Sequence, residues 1–178
     1  MKKTTKILMD EHKNILKIAD AIEKECDEID KGKKVDEEFF RKVIDFIRNY
    51  ADKFHHAKEE DILFKEFCKT TEKGCLHCNP VEQMLYEHNI GRDFVKGVEE
   101  GMNERNKRKI VENALSYVNL IREHIFKEDN ILYPMADEAL SMKTQKEMLS
   151  KFEKIGKDKR NQIKDYLGFV KEIGENRK

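Results

Sequence analysis

The sequence has no tryptophan, only two prolines and only eight glycines in 178 residues. So few breakers exclude the closely spaced turns of a sandwich or barrel, and what remains is rich in good helix formers. Net charge is absent too, because 36 Lys and Arg balance 36 Asp and Glu. A chain without a net field has nothing to hold phosphate backbones or anionic lipid, so neither nucleic acid nor membrane is expected as a partner. No stretch approaches the roughly 20 apolar residues of a spanning helix. The basic start MKKTTKILMDEHKN also lacks an apolar run of signal-peptide length. A cytoplasmic location is therefore expected, with the four cysteines mostly reduced.

What is present is helical periodicity, with apolar positions recurring at steps of three and four. A first helix is expected over about Thr5–Asp30, with Leu8, His12, Ile15, Ala19 and Ile22 on one stripe and Gly32 as a stop. A second starts behind Asp36 and carries Ile44, Ile47, Ala51, Phe54, His55, Glu59 and Ile62 to about Cys68. Asn79-Pro80 opens a third, to about Met102, with Val81, Met84, His88, Gly91, Val95 and Val98 on one face. The fourth runs from about Asn106 to Tyr133, bearing Val111, Ala114, Tyr117, Ile121, His124 and Glu128, and Pro134 is expected to end it. Residues 141–178 read as one or two more amphipathic helices, with Thr144 and Glu147 in capping-box register and Gly156 as the break. The expected fold is all-α: an antiparallel up-down four-helix bundle over residues 1–140, with a C-terminal helical extension over 141–178 packed on it.

One line of the sequence is written twice. HHAKEEDILF at 55–64 returns 69 positions later within EHIFKEDNILY, so that His55 aligns with His124, Lys58 with Lys127, Glu59 with Glu128 and Phe64 with Tyr133. The odd helices match as well, through E-H at Glu11-His12 and Glu87-His88. Two copies of a helical hairpin thus each supply one lone His and one His-x-x-x-Glu. In an α-helix, residues i and i+4 lie about 40° and 6 Å apart, so each His and its Glu share a face.

These polar groups sit in stripes where a bundle core wants Leu or Ile. A buried carboxylate is costly unless paired or metal-bound, and two in one core repel. A pair of dications resolves both problems. Four imidazoles and two carboxylates without a thiolate suit iron or manganese, with zinc less favoured. Our preferred reading is a dinuclear centre bridged by Glu59 and Glu128, with two terminal histidines on each metal. Such a ligand count leaves a position open, which points to a small reactant such as dioxygen, peroxide or nitric oxide. A ferritin-like site fails on spacing, since no Glu lies three residues before any of the six histidines.

The residues that carry this pattern, Glu11-His12, His55–Phe64, Glu87–Arg92 and His124–Pro134, make residues 5–135 resemble the hemerythrin-like (HHE cation-binding) proteins. That resemblance implies a four-helix bundle with a non-haem di-iron centre, carrying an oxo or hydroxo bridge and held by His12, His55, Glu59, His88, His124 and Glu128. It also implies a role in oxygen, oxidative or nitrosative stress, with an electron donor as a further partner. Oxygen-carrying members place a second His one turn after the third-helix His, where this chain has Arg92. The pattern is more similar to bacterial members linked to nitric oxide stress and repair of iron centres. Their cysteine-bearing N-terminal domain is not expected here, because eleven residues precede His12.

Other residues admit two readings. His56 is about 100° around the helix from His55 and is expected in solvent or behind the ligands. Asp129, like its counterpart Glu60, lies off the ligand face unless the helix is distorted. Tyr117 either donates a hydrogen bond near the centre or packs in the core, and Gly91 either leaves room for a ligand or admits a neighbouring helix. Cys68, Cys75 and Cys78 are loop thiols, a redox element or a second metal site. Against the di-iron oxidoreductase stand a non-catalytic iron or oxygen sensor and a plain helical interaction protein, which leaves the histidines unexplained.

Overall fold

The computed structural model describes residues 2–70 and 79–176, and every element among them is helical. α1 spans Lys3–Asp30. Gly32 follows at φ +106°, and the Gly32 and Lys33 amides donate to the Ile29 and Glu28 carbonyls at 3.0 Å. That left-handed backbone costs glycine nothing, which is why the helix stops there.

α2 covers residues 37–70 behind Asp36, whose carboxylate accepts from the Phe39 amide at 3.0 Å. The rod is α-helical over Glu37–Phe46, π-wound over Ile47–His56 and Glu59–Leu63, and α-helical again over Phe64–Thr70. α3 is Asn79–Asn103, with Pro80 in its first turn, where a missing N–H breaks no bond. α4 covers residues 107–139. It starts at Asn106, which caps the Lys109 amide at 3.1 Å, and is α-helical over Lys107–Lys127, π-wound over Glu128–Leu132 and α-helical over Tyr133–Ala139. α5 (Met142–Asp158) and α6 (Arg160–Asn176) complete the described chain.

Three sequence expectations need correction. Pro134 does not end the fourth helix: it falls in the first turn of the α-helix that resumes after the π-wound stretch, so its ring is tolerated. The cap of α5 is Ser141, whose hydroxyl accepts from the Thr144 amide at 3.1 Å. The break between the last two helices is at Lys159, with Gly156 inside α5.

Two apolar clusters form the core. One gathers Ile15, Ile18 and Ile22 of α1, Phe40, Val43 and Phe54 of α2, Val95 and Val98 of α3, Ile121 and Ile125 of α4, and Val170 and Ile173 of α6. The other gathers Leu8, Ile62, Leu63, Phe64, Val81, Met84, Leu132 and Tyr133 with Met148 and Phe152 of α5. Each of the first four helices crosses from one cluster to the other, and His12, His55, Glu59, His88, His124 and Glu128 fall at the crossing. No helix among the described residues is long and apolar enough to cross a membrane.

Candidate metal centre

His12 comes from α1, His55 and Glu59 from α2, His88 from α3, and His124 and Glu128 from α4, and none of the six is more than 2% exposed. All six converge in the layer between the two apolar clusters. The Glu128 carboxylate faces one histidine with each oxygen: Oε2 is 3.2 Å from His12 Nε2 and Oε1 is 3.3 Å from His124 Nε2. Glu59 Oε2 lies 3.6 Å from both His55 Nε2 and His88 Nε2. Two halves result, His12 with His55 and His88 with His124, and each carboxylate spans both. In the second half the Nε2 atoms of His88 and His124 are 3.0 Å apart.

The other nitrogen of every imidazole meets a carboxylate. His12 Nδ1 is 2.8 Å from Asp129, His55 Nδ1 is 2.9 Å from Glu11, His88 Nδ1 is 2.7 Å from Glu60 and His124 Nδ1 is 2.9 Å from Glu87. Donation from Nδ1–H to these oxygens leaves the Nε2 lone pair facing inward and raises its basicity as a ligand. The duplication governs this outer ring as well. Glu11 and Glu87 each precede the lone His of their own hairpin and bond the His of the following helix. Lys58 and Lys127 clamp them in turn. Glu60 and Asp129 directly follow Glu59 and Glu128. Burial raises the Glu11 carboxyl against the pull of Lys58. Glu87 is also pushed up by burial, but bonds from His124, Lys127 and Gln83 outweigh this and hold it at about 2.

The inner groups cannot all carry their usual charge. Burial drives Glu59 well up, and the neighbouring Glu128 charge adds to it. Burial likewise opposes Glu128 ionisation, yet the positive charges of His124 and His12 beside it carry it well down. Against its own burial, His12 is raised to about 9 by Asp129 and Glu128, and His124 to about 10 by Glu128 and Glu87. Burial lowers His55 and His88. Protons on His12 and His124 can balance the Glu128 charge, but Glu59 Oε2, both Glu128 oxygens and His55 Nε2 are still buried without a well-aligned hydrogen bond among the described residues. Four partnerless acceptors aimed at one space are expensive unless a cation completes them. Nitrogen and oxygen donors without sulfur fit a divalent first-row metal. Three clusters of possible donors lie among the described residues: His12, His55, Glu59 and Glu128; His56, His88 and His124; and, farther out, Asp52, His56 and Glu60.

Of the two places expected for His56, in solvent or behind the ligands, the structure gives the second. His56 is 7% exposed rather than solvated, and it lies flat on His88 with ring centroids 3.7 Å apart and planes 12° off parallel. The π winding of Ile47–His56 changes the angular step per residue, so His55 and His56 both face inward. As placed, the His56 ring walls the site where it stacks on His88. Asp129 stays off the centre, at His12 Nδ1. Arg92 bonds Asp52 at 2.6 Å and Glu60 at 2.7 Å, and so braces the carboxylate behind His88.

Sequence reasoning missed Tyr133. Its hydroxyl bonds Glu59 Oε1 and sits 3.3 Å from His12 Nε2, and its ring stacks on His12 at 5.6 Å. The counterpart Phe64 stacks on His88 at 6.1 Å. The aligned pair Phe64 and Tyr133 held the clue, because a hydroxyl buried where the other copy tolerates Phe must have found a polar partner. Cys26 and Cys68 are buried thiols remote from the six residues, and Cys75 and Cys78 lie outside the described residues.

The hemerythrin HHE cation binding domain family matches residues 3–136, the stretch that holds all six inner residues. The chain belongs to that family. No curated protein and no solved structure matches it significantly. Membership in the HHE family accounts for cation binding by a helical protein, and the buried His and Glu clusters are where this member has the donors for it.

Proposed function

We propose that this HHE protein is an up-down four-helix bundle that holds two iron ions and binds or reduces a small reactant, dioxygen, peroxide or nitric oxide, in oxygen or nitrosative stress. The alternation of the four helices between the two apolar clusters supports the bundle topology. One observation carries the reading: Glu128 turns one oxygen to a histidine of each half, the geometry of a carboxylate shared between two cations. In this reading His12 and His55 bind one ion, His88 and His124 the other, and Glu59 and Glu128 bridge. Manganese fits the same donors, and zinc fits less well.

Bound iron would supply the one-electron steps that such reactants require. The chain's own share is to fix the imidazoles through the four outer carboxylates, to exclude water from the layer between the clusters, and to hold the Tyr133 hydroxyl as a hydrogen-bond donor to Glu59. Turnover needs an external electron donor. The deciding experiment is to mix the iron-loaded protein, under a reductant, with excess peroxide or nitric oxide and count equivalents consumed. Consumption over many cycles supports an oxidoreductase. A single stoichiometric spectral change supports the second reading, a sensor. That reading draws on Lys58, which bonds Glu11 behind His55 and lies 5.7 Å from the Phe152 ring of α5, so the C-terminal helices touch the outer ring of the site.

A further inference from the structure

The two halves of the centre are closed differently. Over His12 the Tyr133 ring and hydroxyl form a cap, whereas Phe64 has no hydroxyl to offer at His88. The His88 and His124 half instead borders a cavity of about 440 Å³ between α2, α3 and α4. A diatomic needs about the 30 Å³ share of one water, while pockets for organic ligands begin at about 300 Å³. The cavity is therefore far too large for the small reactants alone.

We propose that this cavity binds a neutral organic molecule that has an apolar body and one oxygen acceptor, seated against the His88–His124 half. The inference rests on the metal-centre reading and names the kind of molecule that reaches it. Ile47, Val95, Leu120 and Ile121 supply the apolar wall. Gly91 opens it: a Cβ there would stand 3.6 Å from Leu120 and 3.7 Å from Tyr117, ordinary contacts, so the space is kept by the missing side chain and is not forced by a clash. Tyr117 lines the cavity with its ring edge toward Gly91, and its buried hydroxyl has no hydrogen-bond partner among the described residues. A buried O–H seldom goes unmatched, and a ligand oxygen would match it. The charged groups around the opening are mutually satisfied or solvated. Arg92 is held by Asp52 and Glu60, Arg48 by Glu99 at 2.6 Å, and Glu87 by Lys127, while Lys96 is 70% exposed. No buried ion is left to hold an ionic ligand, hence the preference for a neutral one.

Acetophenone, ethylbenzene and benzoate, which share a ring and differ in acceptor and charge, test the proposal by calorimetric titration of the metal-loaded protein. The expected result is one saturable site for acetophenone, with weaker binding of ethylbenzene and of benzoate. Tyr117→Phe should weaken acetophenone about three- to ten-fold, the worth of one neutral hydrogen bond, and leave ethylbenzene unchanged. Gly91→Leu should abolish both, and Leu120→Phe, obstructing from the opposite wall, guards against a folding defect in the first variant. Absence of saturable acetophenone binding overturns the proposal. So does tighter binding of benzoate, a Tyr117→Phe effect that is nil or equal on both neutral probes, or unaltered binding in both filled variants. Metal content measured on the same samples separates such a failure from failure of the metal-centre reading.

Discussion

At His55 the imidazole is oriented by Glu11, and at His124 by Glu87, each carboxylate clamped by a lysine of the duplicated line. Removing such a partner leaves the ligand in place but frees its ring and tautomer. Glu11→Ala and Glu87→Ala should therefore each lower metal affinity about 10- to 100-fold without unfolding the protein, read by competition with a chromophoric chelator. A second consequence concerns the chelator-stripped protein. His12 and His124 have their pKa raised to about 9 and about 10, above the unfolded value near 6.5. Their contribution to stability is complete below about pH 6.5 and disappears as pH rises through about 9 to 10. Urea unfolding midpoints of the stripped protein should fall over that window, while the metal-loaded protein, whose cations replace those protons, should change less. The six inner residues were legible in the sequence because hydrophobic stripes made each one anomalous. The outer carboxylates were half legible: E-H and the paired Glu60 and Asp129 were visible, but nothing along one helix says which imidazole on another helix they reach.

Among the elements, the π-wound stretches of α2 and α4 mark where α-helical reckoning fails. Leu8, His12, Ile15 and Ile22 obey it, and α1 is a plain α-helix. His55 and His56 are both buried, and the winding from Ile47 to His56, which admits an extra residue per turn, widens the face that this stretch turns inward. The neighbours Phe54 and His55 on one apolar stripe were the trace of this in the sequence, while α-helical reckoning put His56 off it. Deleting the exposed Lys53 should force the stretch toward α-helix and rotate His55 and Glu59 about 100° relative to Phe40 and Val43. Helical circular dichroism should survive with bound metal lost. Metal retained at full stoichiometry would show that the winding has no part in aiming the ligands.

Across the whole molecule, a polar layer is held between two apolar clusters, and α5 and α6 seal one cluster each through Met148 and Phe152, and through Val170 and Ile173. The amphipathic character of these last helices was readable, but the surface they cover was not, since contacts across more than 80 residues leave no local signal. Phe152→Ala, which empties a buried site beside Lys58 and touches no inner residue, should cost about 3–5 kcal/mol by denaturant unfolding and leave metal stoichiometry intact. The internal repeat sets the near-symmetry of the layer, and the exchange of Phe64 for Tyr133 breaks it. The account depends most on the claim that two cations share Glu59 and Glu128. Metal analysis of protein purified without oxygen, beside Glu128→Ala and His55→Ala, tests it directly: two ions per chain are expected, with large losses in both variants. One ion per chain, or none, or two retained in Glu128→Ala, would contradict it.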